Sequence, residues 1–175
     1  MWTIAANMGP VPRQVCDFPG VKNNPRNGEG DFIRLNDGAI LYAYGKFTGG
    51  HNGDDADATI VARISRDGGE TWSASETVCN SVLDDRDAGL LRLKSGDLVL
   101  FWFTSAHFYE RKNARKNHPD EVRHFEKLDM ASVRRDLGSF SRRSADGGRT
   151  WEPPVRMCVS APHGGIQLRD GRVMT

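Results

Sequence analysis

Three aspartates crowd one short stretch of the chain, Gly49-Gly50-His51-Asn52-Gly53-Asp54-Asp55-Ala56-Asp57-Ala58. Carboxylates this close repel one another, so at least one holds its proton to higher pH than an isolated Asp does. Such a carboxyl suits general-acid work on a departing oxygen. The same residues also fit a solvated acidic loop or a cation site, and the stretch by itself leaves these readings open. Two other aspartates, Asp67 and Asp146, invite reading as catalytic or metal-binding groups. Their surroundings point to a structural role instead. Each lies in the octapeptide Ser-x-Asp-Gly-Gly-x-Thr-Trp, once at Ser65–Trp72 and again at Ser144–Trp151, with six of the eight positions identical. The Asp can accept backbone N–H groups a few residues on and close an Asx-type turn. Gly69 and Gly148, with the glycines before them, can take the positive φ that such a turn needs. Ser65, Thr71, Ser144 and Thr150 supply hydroxyls to tie the ends, and Trp72 and Trp151 are large apolar anchors.

The other titratable side chains narrow the chemistry. His51, His107, His118 and His124 have no pairing that suggests zinc. Cys16, Cys79 and Cys158 are far apart and odd in number, which predicts buried, inert thiols and neither a metal site nor a disulfide framework. The basic run Arg111-Lys112-Asn113-Ala114-Arg115-Lys116 is offset by the acids from Asp120 on and has little aromatic interleaving, so it reads as a solvated loop and not as a nucleic-acid surface. The net charge of +1 agrees, predicting no polyanion partner. No apolar run approaches the roughly 18 residues of a membrane span, so no membrane partner is expected. At 38% hydrophobic and 27% charged over 175 residues, the composition is that of one ordinary globular domain. Met1–Asn7 lacks the features of a secretory signal. The expectation is a cytoplasmic protein by default, or a piece of a longer precursor.

The elements that must position these groups repeat along the chain. Phe32-Ile33-Arg34-Leu35-Asn36-Asp37-Gly38-Ala39-Ile40-Leu41 is matched by Leu90-Leu91-Arg92-Leu93-Lys94-Ser95-Gly96-Asp97-Leu98-Val99. A third version runs Gly165-Ile166-Gln167-Leu168-Arg169-Asp170-Gly171-Arg172-Val173. Each reads strand, Asx or Ser with Gly at a tight turn, strand. A hairpin followed by a second hairpin that ends in the octapeptide makes a unit of about four strands, the size of a propeller blade. The step from Gly96 to Asp146 is much longer than that from Gly38 to Asp67, so the second unit carries an insertion between Thr104 and Leu137. Within it, Pro119-Asp120-Glu121 followed by Val122, Phe125 and Leu128 predicts a short helix at about 119–130.

The octapeptide resembles the Asp-box, or BNR repeat, of sialidases and their relatives. Its spacing, with a hairpin ahead of each box, is similar to successive blades of a six-bladed sialidase propeller. The implied fold is all-β, a partial β-propeller of about two and a fraction four-stranded blades. Blade 1 falls at about 28–80, blade 2 at about 86–160 with the charged insertion at about 105–136, and the start of blade 3 at about 163–175.

The stretch Pro25-Arg26-Asn27-Gly28-Glu29-Gly30-Asp31-Phe32 resembles the opening strand of bacterial sialidase-family proteins, which makes Arg26 and Glu29 the implied substrate-facing residues. An Arg suits the carboxylate of sialic acid because guanidinium binds it bidentately. The acid/base Asp of the family comes from the loop before the first box; Asp55 is the first choice, Asp54 the second and Asp57 the third. His163, ahead of the third hairpin, is placed toward the central cavity, where it touches substrate or is a plain loop residue. The family nucleophile is a Tyr, supplied with its Glu partner and two further Arg by later blades, and Tyr42, Tyr44 and Tyr109 do not match it. The resemblance therefore implies an exo-α-sialidase that releases terminal sialic acid from a sialylated glycan with no cofactor or metal, this stretch alone being incomplete and inactive. The alternatives are a non-catalytic Asp-box propeller that binds glycan or protein, and a hydrolase for another sugar.

Overall fold

The computed structural model describes residues 29–47, 58–106, 116, 119–159 and 163–175. Among these, nearly all regular structure is β. Strands β1 (Gly30–Arg34), β2 (Ile40–Phe47), β3 (Ala58–Ser65) and β4 (Glu76–Cys79) form one antiparallel sheet in that order. Strands β5 (Asp84–Arg92), β6 (Leu98–Ser105), β7 (Gly138–Ser144) and β8 (Val155–Arg156) form a second with the same order. A hairpin of β9 (Ile166–Gln167) and β10 (Val173–Met174) follows. Two meandering four-stranded sheets packed face to face are successive propeller blades.

Strand alternation decides which faces meet. Leu41, Ala43, Ile60 and Ala62 of the first sheet and Leu90, Leu98, Leu100 and Trp102 of the second form one buried core, with Trp151 packed against it. The hairpin repeat equates those four residues of the second sheet with Phe32, Ile40, Tyr42 and Tyr44 of the first. That equivalent face is aromatic: Phe32 stacks on Tyr42 at 4.1 Å and Tyr42 on Tyr44 at 4.7 Å, with Trp72 edge-on to Phe32 and Tyr42 at 6.0 Å. Leu90 is 7% exposed at the seam between sheets, whereas Phe32 is 57% exposed. Side chains from the second sheet and the third hairpin lace the blades together. Arg92 donates to the Arg34 carbonyl and to Asn36 Oδ1, and Lys94 donates through Nζ to the Leu168 and Arg169 carbonyls.

The insertion differs from its expected form. In place of one helix at 119–130 there are two, α1 (Pro119–Glu126) and α2 (Met130–Asp136). The break has a local cause. Lys127 and Leu128 donate to the His124 and Phe125 carbonyls and close α1. Asp129 then N-caps α2, accepting from the backbone N–H groups of Ala131 and Ser132. At the other end Arg156 donates to the carbonyls of Arg134, Arg135 and Leu137, satisfying the last turn of α2. The cysteines also depart from expectation: Cys79 is half-buried but Cys158 is exposed, and Cys16 lies outside the described residues.

Candidate functional site

The two boxes are built alike. In the first, Asp67 accepts from the Thr71 backbone N–H at 2.9 Å, the Thr71 hydroxyl at 2.5 Å and the Ser65 hydroxyl at 2.8 Å. Ser65 Oγ accepts the Gly69 N–H, and Trp72 Nε1 donates to the Gly69 carbonyl at 3.0 Å. In the second, Asp146 accepts from Thr150 N–H, the Thr150 hydroxyl and the Ser144 hydroxyl, while Ser144 Oγ accepts from Gly148 N–H. These bonds to the charged form, led by the Thr hydroxyls, hold both carboxyls down at about 2. They are ionised at any physiological pH and engaged in turns, which suits neither a proton donor nor a nucleophile.

Ser144 is 1% exposed, so Ser144→Ala leaves the Gly148 N–H unpaired and is expected to cost about 1–3 kcal/mol in urea unfolding. Asp67 and Asp146 also bind fewer protons folded than unfolded between pH 3.8 and about 2. Their stabilising contribution is complete above about pH 4 and is lost as pH falls through that window. The unfolding midpoint should drop over that interval, and an Asp67→Asn, Asp146→Asn double variant should flatten the drop.

The register places the boxes and the hairpin turns at one end of the sheets and a different set of residues at the other. Gly30 pairs with Tyr44, Phe47 with Ala58, Asp84 with Ser105, Thr104 with Gly138 and Ile166 with Met174. The strand ends that flank residues 48–57, the starts of β1, β5 and β7, and the approach to β9 therefore share this second end. Arg26, Asp54, Asp55 and Asp57 lie outside the described residues. Glu29 and His163 are described, and both are exposed at this end.

Asp87 gathers them. It is the one described residue other than glycine with positive φ, at +52°, and it sits where a bulge between Arg86 and Gly89 shifts the β5–β6 register. Asp tolerates this left-handed region better than most residues, yet such a conformation costs of order 1–3 kcal/mol and clusters at functional sites. Burial pushes the Asp87 carboxyl up, the Glu29 charge and a hydrogen bond with Glu29 push it further, and Arg86 and His163 oppose both. One acidic pair flanked by two basic groups thus occupies the starts of three successive units.

Backbone packing sets the spacing. Gly89 abuts Gly164 so closely that a Cβ on Gly89 would lie 2.3 Å from Gly164 N and 2.7 Å from His163 C. Beneath the cluster, Asp31 Oδ2 accepts the Leu90 N–H at 3.0 Å across the seam. Asp84 is fully buried, accepts the Ala58 N–H at 3.0 Å and pairs with Arg86 at 3.5 Å. Asp85, equally buried, accepts from Ser81 N–H and the Thr104 hydroxyl, and burial raises its carboxyl.

Asp87 is not among the site residues expected from the sequence, where it is only one of the possible ion-pair partners of Arg86, though a signal is present. Glu29 stands as far ahead of Gly38 as Asp87 stands ahead of Gly96, so the hairpin repeat already equates the two acids. A cavity of about 650 Å³ lies away from this end. It runs along the first box between Trp72, Arg63, Arg66 and Arg149. Arg63 there donates to the Tyr44 hydroxyl and the Ser73 carbonyl, and Arg66 pairs with Asp37.

The BNR/Asp-box repeat family model matches residues 63–74. In fold, the chain is similar to a protein of unknown function from Dyadobacter fermentans DSM 18053, at 20% identity and TM-score 0.62 over 90% of this chain and 48% of that one. It is also similar to the Hadza microbial sialidase Hz136, at 19% identity and TM-score 0.56 over 86% of this chain and 32% of that one. The chain thus spans about half of the first structure and a third of the second. No curated protein sequence matches it. It carries a BNR/Asp-box repeat and has the all-β fold of sialidase-like propellers.

Proposed function

We propose that this chain forms the opening blades of a sialidase-type glycoside hydrolase, with Glu29, Arg86, Asp87 and His163 at the rim that meets the sugar. The observation that carries the reading is the meeting of these four side chains at the end of the sheets opposite the boxes, around the strained Asp87. The fold shared with a sialidase supports it, and the Asp-box repeat agrees with it.

Sialic acid presents a carboxylate beside its anomeric carbon and hydroxyls around its ring. Arg26 takes the carboxylate, bidentately and at any physiological pH. Asp55, or its neighbour Asp54, protonates the departing glycosidic oxygen as general acid. The strand ends at Phe47 and Ala58 bracket that acidic stretch at the same end as Asp87. Asp87 keeps its proton to higher pH than an ordinary Asp, mainly because it is half-buried and beside Glu29, so the pair offers sugar hydroxyls one donor and one acceptor. His163 lines the far side. The nucleophilic Tyr and the rest of the Arg cluster belong to further blades, so the present stretch is inactive by itself.

The test is hydrolysis of a fluorogenic sialoside by a form carrying the remaining blades, beside this chain. Turnover by the longer form, lost in Asp55→Ala and absent from the present chain, is the expected result. Equal turnover by the present chain, or none by the longer form on any sialoside, overturns the reading.

A further inference from the structure

The cavity of about 650 Å³ along the first box is a groove made where the two boxes meet. Arg66 comes from the first box and Arg149 from the second, so successive blades each contribute a guanidinium. Both also line an adjoining hollow of about 250 Å³ between the hairpin turns, so the two side chains flank one passage. Arg63 of β3 adds a third guanidinium to the groove, and against these three the lining holds one carboxylate, Glu76. The carboxylates of the hollow are already engaged, Asp37 by Arg66, Asp97 by Arg143 and Asp146 within its own box.

Spare donors decide what the groove can hold. The hydroxyls beside it are spent, since Thr71 donates to Asp67 and Ser73 to the Ala74 carbonyl. The Trp72 N–H goes to the Gly69 carbonyl, so its indole offers the groove apolar surface. Arg66 and Arg149 differ. A guanidinium carries five N–H donors. Among the described residues Arg66 gives one of them to Asp37, and Arg149 engages only its backbone N–H, in the turn with Asp146. Ala62, Ile64 and Trp72 supply low-dielectric walls, which focus the positive field into the groove. Like charges on either side of one passage repel, and an anion between them removes that repulsion. A guanidinium fork fits a carboxylate or a phosphate edge, but two forks from two blades need an anion with more than one edge to offer. A tetrahedral oxyanion has that shape and a planar carboxylate does not.

We propose that the groove between the two boxes is an oxyanion-binding site, in which Arg66 and Arg149 grip the phosphate or sulfate group of a small ligand whose organic part rests on the apolar walls. The site lies at the end of the sheets opposite Asp87, and the inference stands whether or not the propeller hydrolyses sialosides.

Solution NMR of this chain tests it through the Nε–H signals of the two guanidiniums, assigned by their loss in Arg66→Gln and Arg149→Gln. Inorganic phosphate and inorganic sulfate are the probes, titrated separately, with sodium chloride at matched ionic strength as the screening control. Saturable shifts of both signals at millimolar phosphate or sulfate, absent with chloride and with sialic acid, are the expected result. The tighter of the two probes names the ester class, and either supports the site. Each substitution, followed on the other guanidinium's signal, should weaken binding about tenfold, the loss of a charge-assisted hydrogen bond. Both side chains are exposed, so both variants should keep the fold. Arg172→Gln, exposed and outside the groove, should bind as wild type does. Shifts that chloride reproduces overturn the proposal, as does binding that survives both substitutions or falls equally in Arg172→Gln. Saturable binding of sialic acid at the same two signals overturns it as well.

Discussion

Asp84→Ala is expected to destabilise the chain by about 3–5 kcal/mol, read as a shift of the urea midpoint with unchanged slope. Asp84 is fully buried, and its carboxylate both accepts the Ala58 N–H and faces Arg86, whose side chain is only 14% exposed. Removing it leaves a guanidinium in a poorly hydrated site without that counter-charge and orphans a backbone donor of the first blade. Replacing such a pair by apolar groups can be neutral, but deleting one member is not. Asp84→Asn should fall between wild type and Ala, because an amide oxygen can still accept from Ala58 while the charge is gone. A loss under about 1 kcal/mol for Asp84→Ala would show that the pair does not hold the seam.

Gly89→Ala is expected to be nearly as damaging, with its effect concentrated in the third hairpin. The added Cβ would meet Gly164 N at 2.3 Å, Gly164 Cα at 2.6 Å and His163 C at 2.7 Å. All three are backbone atoms, so no side chain can swing aside. Overpacking of this kind costs about 1–3 kcal/mol, and here it pushes away the segment that carries His163. The hairpin is otherwise held to the second blade by Lys94 and Gln167, which cannot follow such a displacement without breaking the Lys94 N–H bond to Gln167 Oε1. Hydrogen exchange at Ile166–Val173 should speed up well beyond that of β2 and β6. Exchange there equal to wild type would contradict the close approach.

Local chemistry was legible in the sequence and distant chemistry was not. The boxes close through bonds spanning two to four residues, and the hairpin turns through equally short ones, so their residues announce them. The insertion was legible as a break in the repeat. Its second helix was not, because the cap at Asp129 looks like any acid in a charged stretch. Asp84 and Asp85 look in the sequence, like Asp87, only like ion-pair partners for Arg86, and the pair forms with Asp84. Their burial comes from partners 26 and 19 residues away, Ala58 and Thr104, which no local pattern shows. Asp87 lay hidden for the same reason, since its strained backbone belongs to a bulge that only pairing with β6 creates. The acid-lability expected of the boxes is also opposed by Asp85. Burial raises that carboxyl, so Asp85 binds more protons folded than unfolded above pH 3.8 and weakens the fold as it ionises.

The central claim is that sugar chemistry belongs to the strand-start end around Asp87 and not to the Asp-boxes. Hydrogen exchange on a form carrying the remaining blades, with and without saturating sialic acid, tests it most directly. Protection at residues 29–31, 84–89 and 163–166, with the boxes at 65–72 and 144–151 unchanged, is the predicted result. Protection confined to the boxes, or no protection anywhere in these blades, would contradict it.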